Sequence, residues 1–185
     1  MSRFNELCEE HNHMLDRHAA YCRNACEQAA LFRASFSNYV QAPATLFTAN
    51  NPAVGQPQKR RYVEVNRVDA EWRIVGRNLS SRYRIHFNPE GFLCFKLVVA
   101  LNSNRGMLQA LEIPCGLRPH GAGTCSIFIG APGETVHKAF DWSPPKDGEK
   151  PSEDGPEQYV FHIIKEYLAS DPFTRERKSK SIGFI

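Results

Sequence analysis

Thiol and imidazole side chains recur at helical spacing near the start of the 185-residue chain. His18 and Cys22 are four residues apart, so a helix would place both within reach of one metal ion. Cys26 follows Cys22 at the same spacing. Small cysteines and histidines also line the seams between packed helices, and no second, tightly spaced ligand pair accompanies these residues. Binding of a metal ion by this pair and packing of the same residues against another helix therefore both remain open at this point.

A second group of thiols and imidazoles surrounds a glycine-rich stretch. Cys115 and His120 precede the stretch Gly121–Gly123, and Cys125 follows it. His137 lies on the next predicted strand. A thiol beside an imidazole permits nucleophilic catalysis, and these side chains are also metal ligands. Their spacing matches no standard zinc loop, and the chain has no Gly-x-Ser-x-Gly elbow, so a structural loop is the competing interpretation. We expect no cofactor and keep a metal- or thiol-dependent enzyme as an alternative function.

Arginines alternate with apolar residues along two predicted strands, 71–77 and 82–87. Because side chains along a strand point alternately to its two faces, the arginines would share one face of a hairpin. Between residues 59 and 86, eight Lys and Arg residues stand against three acids. Guanidinium groups favour bidentate contacts with anions, so this face predicts an acidic protein or nucleic acid as partner; a solvated outer sheet face is the alternative. The predicted binding set is Arg73, Arg77, Arg82, Arg84 and His86.

The elements that position these residues begin with a long helix at residues 1–33. Residues 4–33 contain no Pro or Gly, and apolar or small side chains recur in steps of three and four. A helix of about 30 residues is near 45 Å long, whereas a domain of this size is only about 40 Å across. The helix would therefore span or overhang the body, and long amphipathic helices need partners in water. This predicts self-association through helix 1, and it leaves a structural or assembly subunit open as a further alternative.

Residues 34–58 carry no charge and contain three prolines, which predicts an irregular crossover. Residues 59–185 form the predicted body, which includes an acidic loop at 141–157, an amphipathic helix at 156–169 and a basic C-terminal tail. Short turn-like segments separate the apolar runs, and such connections suit antiparallel pairing. The predicted strands are Arg61–Val65, Glu71–Arg77, Arg82–Phe87, Phe92–Leu101, Met107–Ile113, Cys125–Ile129 and Thr135–Phe140.

These patterns predict an α+β fold. We expect a long N-terminal helix, an antiparallel twisted sheet or half-barrel of about six to seven strands, and a C-terminal amphipathic helix packed on that sheet. The central strand would bury Cys94, whose thiol should then be a poor nucleophile.

Composition excludes several classes of protein. The chain has 42% hydrophobic and 23% charged residues, which is ordinary for a globular domain, and no apolar run long enough to span a membrane. The start of the chain is polar and acidic, which is unlike a secretory signal, so we expect a cytoplasmic protein with free thiols and no membrane partner. The leading hypothesis is a non-enzymatic binding or regulatory protein that self-associates and presents its arginines to an anionic partner.

Overall fold

The computed structural model describes residues 2–50, 57–80, 84–102, 108–130, 138–146, 149–170 and 183–184. It confirms the α+β fold class, with helix α1 (Arg3–Tyr39) at the N-terminus and helix α2 (Pro156–Ala169) packed on an antiparallel sheet. The strands are β1 (Phe47–Asn50), β2 (Pro57–Arg60), β3 (Val63–Val68), β4 (Ile74–Arg77), β5 (Leu93–Asn102), β6 (Leu108–Pro119), β7 (Cys125–Ile129), β8 (Lys138–Trp142) and β9 (Gly183–Phe184).

Helix α1 has 37 residues and is about 55 Å long. The Ser2 hydroxyl accepts a hydrogen bond from the Asn5 amide at 3.3 Å and caps the first turn. The helix ends where Gln41 adopts a φ of +52°, two residues before Pro43. It therefore runs six residues further than the predicted end at residue 33, because no helix breaker occurs earlier and because Phe36 is fully buried in the core.

The uncharged crossover is more regular than the sequence predicted. Its first residues belong to α1, and its last residues form a hairpin in which β1 and β2 pair antiparallel, with Phe47 opposite Arg60. Pro57 lies at the first position of β2, where a missing N–H is tolerated. The Phe47 and Tyr62 rings lie 4.9 Å apart, and this contact attaches the hairpin to the body.

The main sheet has the strand order β4-β3-β5-β6-β7-β8, with β9 paired to β6 at Leu111 and Glu112. Strand β5 lies between β3 and β6, which agrees with its prediction as a central strand. Its alternate side chains divide the sheet into two faces. Leu93, Phe95 and Leu97 belong to the inner core, and Cys94 on the other face is 1% exposed, as predicted.

Both helices cover the inner face of the sheet. They contribute the buried residues Ala25, Cys26, Ala29, Phe32 and Phe36 from α1, and Val160, Ile164 and Tyr167 from α2. On the outer face, the Lys96 ammonium lies 2.6 Å from a Glu112 carboxylate oxygen, so the one charged side chain of the central strand is paired. None of the helices in the described ranges combines the length and apolar character needed to cross a membrane.

Within the described residues, the two strands of the predicted arginine hairpin are not paired with each other. Strand β4 begins at Ile74 rather than at residue 71, and it pairs with β3. Residues 84–86 are not a strand, and Phe87 makes only an isolated bridge to Leu93. The turn at residues 69–73 explains the difference, because the Asp69 carboxylate accepts hydrogen bonds from the Glu71 and Arg73 amides and Trp72 takes a φ of +60°.

Some predictions fall on parts of the chain outside the described residues. These are Arg82, Met107, His137, the segment 135–137 that begins the last predicted strand, and nearly all of the basic tail.

Candidate functional site

The N-terminal part of α1 extends beyond the body of the protein. Every residue from Arg3 to Ala20 is exposed, and burial begins only at Tyr21 and Cys22. We call Arg3–Ala20 the projecting half; it is about 27 Å long. It agrees with the prediction that helix 1 overhangs the body.

Apolar side chains on the projecting half form an exposed stripe. Phe4, Leu7, Met14 and Leu15 are 72%, 69%, 49% and 50% exposed. Steps of seven residues from Phe4 lead to His11, His18, Ala25 and Phe32, the last two of which are fully buried against the sheet. The exposed stripe is therefore the continuation of the buried one. Contiguous apolar surface of this kind marks interaction sites. We call this stripe the seam; its members are Phe4, Leu7, His11, Met14, Leu15 and His18.

A pocket of about 360 Å³ lies in the corner where α1 meets the body. We call it the corner pocket; it is lined by His18, Ala19, Cys22, Arg23, Arg84, Ile85 and Phe87. The Tyr21 hydroxyl donates to the Gly91 carbonyl at 2.7 Å, and the Tyr21 ring lies 5.6 Å from Phe87. These contacts hold the helix against the segment that precedes β5, and the corner pocket lies beside them.

The His18 and Cys22 side chains meet, as their spacing predicted. The Cys22 sulfur lies 3.7 Å from His18 Nδ1. Burial raises the pKa of the Cys22 thiol, and burial together with the neighbouring Cys22 raises the pKa of Cys26 to about 11. Across the described part of the chain, no group of three or more metal-ligating side chains is present. The described residues therefore place His18 and Cys22 together without adding a third ligand to the pair.

The Cys115, His120 and Cys125 side chains do not come together. Cys115 and Cys125 are fully buried in the inner core, where they lie opposite Ile129 and Pro119, so roughly four residues or 13 Å of strand separate them. His120 is exposed, and its Nε2 lies 2.6 Å from the Ser126 hydroxyl.

The protonation of these thiols also disfavours chemistry. Burial raises the pKa of Cys125 to about 12 and raises the pKa of Cys115 strongly. At neutral pH both are neutral thiols, which are weak nucleophiles and weak metal ligands.

The described members of the predicted arginine set differ in their local contacts. Arg73 is ion-paired, with its guanidinium 2.8 Å from Asp69 and 2.9 Å from Glu71. Arg77 donates to the side-chain oxygen of Gln58 on β2.

Two other members of the set, Arg84 and His86, belong to the segment before β5, whereas Arg82 lies outside the described residues. Arg84 is exposed and lines the corner pocket, while the His86 carbonyl accepts from the Cys94 amide at 2.9 Å. The described members therefore make separate local contacts, and binding of a partner by this set stays a prediction.

A different pair of arginines shares a second pocket, of about 480 Å³. Arg33 on α1 and Arg61 before β3 both line it, together with Ser37 and Asn38. Burial lowers the pKa of Arg33, and so does the positive charge of Arg61, while the Glu64 carboxylate acts in the opposite direction. We call this site the arginine pocket. Sequence analysis missed it because the two arginines are distant in the chain and belong to different elements.

Comparison with known proteins identifies no relative: no protein family matches the chain, and neither a curated protein nor a solved structure matches it significantly. The projecting half, the corner pocket and the arginine pocket are therefore the features from which a function is argued.

Proposed function

We propose that this chain is a non-enzymatic binding and assembly protein that engages another polypeptide through the projecting half of α1. The exposed seam carries the proposal. It continues the stripe that the C-terminal half of α1 buries on the sheet, and four of its side chains are large and about half or more exposed. Full burial of one such side chain contributes about 1.5–3 kcal/mol, before the entropic cost of association.

Helix stability points in the same direction. The projecting half continues an anchored helix but packs on little of the body, and most helical stability in proteins comes from tertiary packing of an apolar face. A polypeptide that covers the seam would supply the tertiary contacts that the sheet supplies to the rest of α1. By comparison, the hypothesis of a metal- or thiol-dependent enzyme has less support, because Cys115 and Cys125 are buried and protonated while His120 points elsewhere.

The test compares two variants of the full chain. In the seam variant Gln replaces Phe4, Leu7, Met14 and Leu15. In the matched control Gln replaces Asn5, Asn12, His13 and Ala20, which lie away from the seam and leave the carboxylates of the projecting half in place. We expect the wild type and the control to associate in light scattering and to protect the amides of residues 6–20 from hydrogen exchange. The seam variant should lose both properties while the amides of β5 stay protected. A wild-type monomer whose residues 6–20 exchange like an unfolded chain would contradict the proposal.

Binding of an anionic partner is the second candidate function, and the arginine pocket now favours it. Arg33 and Arg61 repel each other there, and the Glu64 carboxylate offsets part of that repulsion. An anion between the two guanidinium groups would offset more of it. An acidic protein or a nucleic acid remains the proposed partner. Binding of a fluorescent single-stranded oligonucleotide should weaken with salt and fall in Arg33→Gln, with the ion-paired Arg73→Gln as control. Equal binding by both variants would exclude this pocket.

A further inference from the structure

We infer that the partner of the projecting half is a second copy of this chain, bound antiparallel, with Phe4 of each copy seated in the corner pocket of the other. This inference rests on the proposed function and names the partner for it. Its first basis is the heptad spacing of the seam. Phe4, His11 and His18 are seven residues apart, and Leu7 and Met14 repeat the same interval three residues later. This is the pattern that packs one helix against another in a coiled coil.

The charges beside the seam favour the antiparallel orientation. Glu10 and Arg17 lie on the same flank of the seam, seven residues apart. In an antiparallel pair, Glu10 of each copy lies beside Arg17 of the other, so the contact is made twice around the two-fold axis. In a parallel pair, the same positions face Leu15 and Cys22, and neither carries a charge. The antiparallel pair also places the two bodies at opposite ends, whereas a parallel pair would bring them together at one end.

The corner pocket lies at the level where this pairing ends. When Glu10 lies beside Arg17 of the second copy, the apolar positions of the two helices also face each other in pairs. His11 then lies next to Met14 of the second copy, and Phe4 lies next to its Tyr21. The corner pocket is lined by His18, Ala19, Cys22 and Arg23 of α1, which lie on either side of the level of Tyr21. Phe4 is the most exposed of the large hydrophobic side chains among the described residues, and the pocket offers it an aromatic neighbour.

Charge complementarity between the two halves of the molecule supports the same arrangement. The projecting half contains four carboxylates and two arginines, and three of the carboxylates lie within six residues of Phe4. The corner pocket has Arg23 and Arg84 in its lining. An acidic helix tip therefore enters a pocket with a basic rim, and opposite potentials of this kind orient partners and fix their register.

A charge-swap cycle tests the register. Glu10→Arg and Arg17→Glu each place like charges side by side twice in the dimer, and the double variant restores opposite charges. By sedimentation at low salt, we expect each single variant to raise the dimer Kd by about tenfold and the double variant to return it to within about twofold of wild type. Glu9→Arg, which makes the same charge change on the face opposite the seam, is the control; it weakens the overall attraction but faces no residue of the other helix, so we expect the Kd to rise by no more than about twofold and Arg17→Glu not to restore it.

Cross-linking supplies a second readout. In a Cys8→Ala background, a mixture of Glu10→Cys and Arg17→Cys chains should form the crossed disulfide in preference to either symmetric one. Phe4→Ala should raise the Kd by about tenfold or more. A dimer that the seam variant abolishes, but that shows no charge compensation and no crossed disulfide, would overturn this inference and leave the proposed function standing. A wild-type monomer would overturn the inference as well, and hydrogen exchange of residues 6–20 would then decide the proposed function.

Discussion

Glu157 brings a carboxylate into the core at the first turn of α2, where it is 1% exposed. Its Oε1 accepts hydrogen bonds from the Ser35 hydroxyl at 2.6 Å and from the Trp142 indole N–H at 2.8 Å. These donors come from α1 and β8, and the positive end of the α2 dipole lies beside the carboxylate. One side chain therefore joins both helices to the edge of the sheet. Glu157 belongs both to the predicted acidic loop at 141–157 and to the predicted helix at 156–169, and the sequence indicated no role for it in the core.

Substitution of Glu157 should separate hydrogen-bond acceptance from charge. Glu157→Ala leaves two buried donors without an acceptor, so we expect the free energy of unfolding to fall by about 2–5 kcal/mol in urea denaturation. Glu157→Gln keeps an oxygen that both donors can reach, so its loss should be about 1 kcal/mol. The control is the exposed Glu153→Gln, for which a change below about 0.5 kcal/mol is expected. A Gln variant as unstable as the Ala variant would contradict this account.

At the scale of elements, a glycine lets two strands carry an aromatic layer on the outer face of the sheet. Gly116 on β6 lies opposite Phe128 on β7. The Phe128 ring lies across the glycine and packs against Phe92 at 5.1 Å and Trp72 at 6.4 Å. A Cβ atom on Gly116 would overlap that ring. The β6–β7 pair and the turn that holds Trp72 are thus connected through one side chain that needs a glycine beneath it.

Gly116→Ala should therefore destabilise the protein by about 1–3 kcal/mol, because the Phe128 ring must leave its place between Phe92 and Trp72. Thermal denaturation followed by near-UV circular dichroism measures both the loss and the altered aromatic packing. Gly121→Ala is the matched control, since a Cβ there meets nothing within 4 Å. If the two alanine variants melt at the same temperature, the glycine has no such role.

Helix α1 shows how far the sequence predicts an element. Its course and its overhang follow from the absence of Pro and Gly and from the steps of three and four. Its end does not, because the uncharged residues 34–39 contain no helix breaker, and burial of Phe36 decides that they remain helical. The C-terminal helix, by contrast, has Pro156 at its first turn and is followed by Asp171-Pro172, and its bounds are as predicted.

The arginine hairpin shows where alternation misleads. Period-two spacing over residues 71–77 favours a strand, but Asp69 competes locally for the backbone amides of Glu71 and Arg73. An Asp two residues before such a stretch is a turn signal, and it could have been weighed against the alternation. The corner pocket had no comparable signal, because it joins His18 and Cys22 to Phe87, which only the tertiary fold brings near.

At the scale of the whole molecule, the projecting half of α1 and the rest of the chain carry opposite net charges. The chain has a formal net charge of +3, yet the projecting half is acidic, so the rest of the chain is more basic than the total indicates. An acidic arm and a basic body on one chain favour contacts between copies over contacts within one copy, because the helix is too stiff to fold back. The proposed dimer follows from that division.

The buried thiols form a second property of the whole molecule. Cys26, Cys94, Cys115 and Cys125 belong to four different elements and are all buried. Burial raises the pKa of Cys26 and Cys94 to about 11 and of Cys125 to about 12, and it raises the pKa of Cys115 further. Each thiol is therefore held neutral in the folded state at a pH where it would ionise in the unfolded chain.

The protein should consequently lose stability in alkali. A raised pKa means that the stabilising contribution is complete below the ordinary thiol value of 9.0 and disappears as the pH rises toward the folded-state value. For the fully buried Cys115 the slope is at most about 1.4 kcal/mol per pH unit. In urea denaturation from pH 9 to about 11, Cys115→Ala should show a shallower fall in unfolding free energy than wild type, whatever its stability at neutral pH. The exposed Cys8→Ala should keep the wild-type slope. If Cys115→Ala also keeps it, the buried thiols do not set the alkaline limit of this fold.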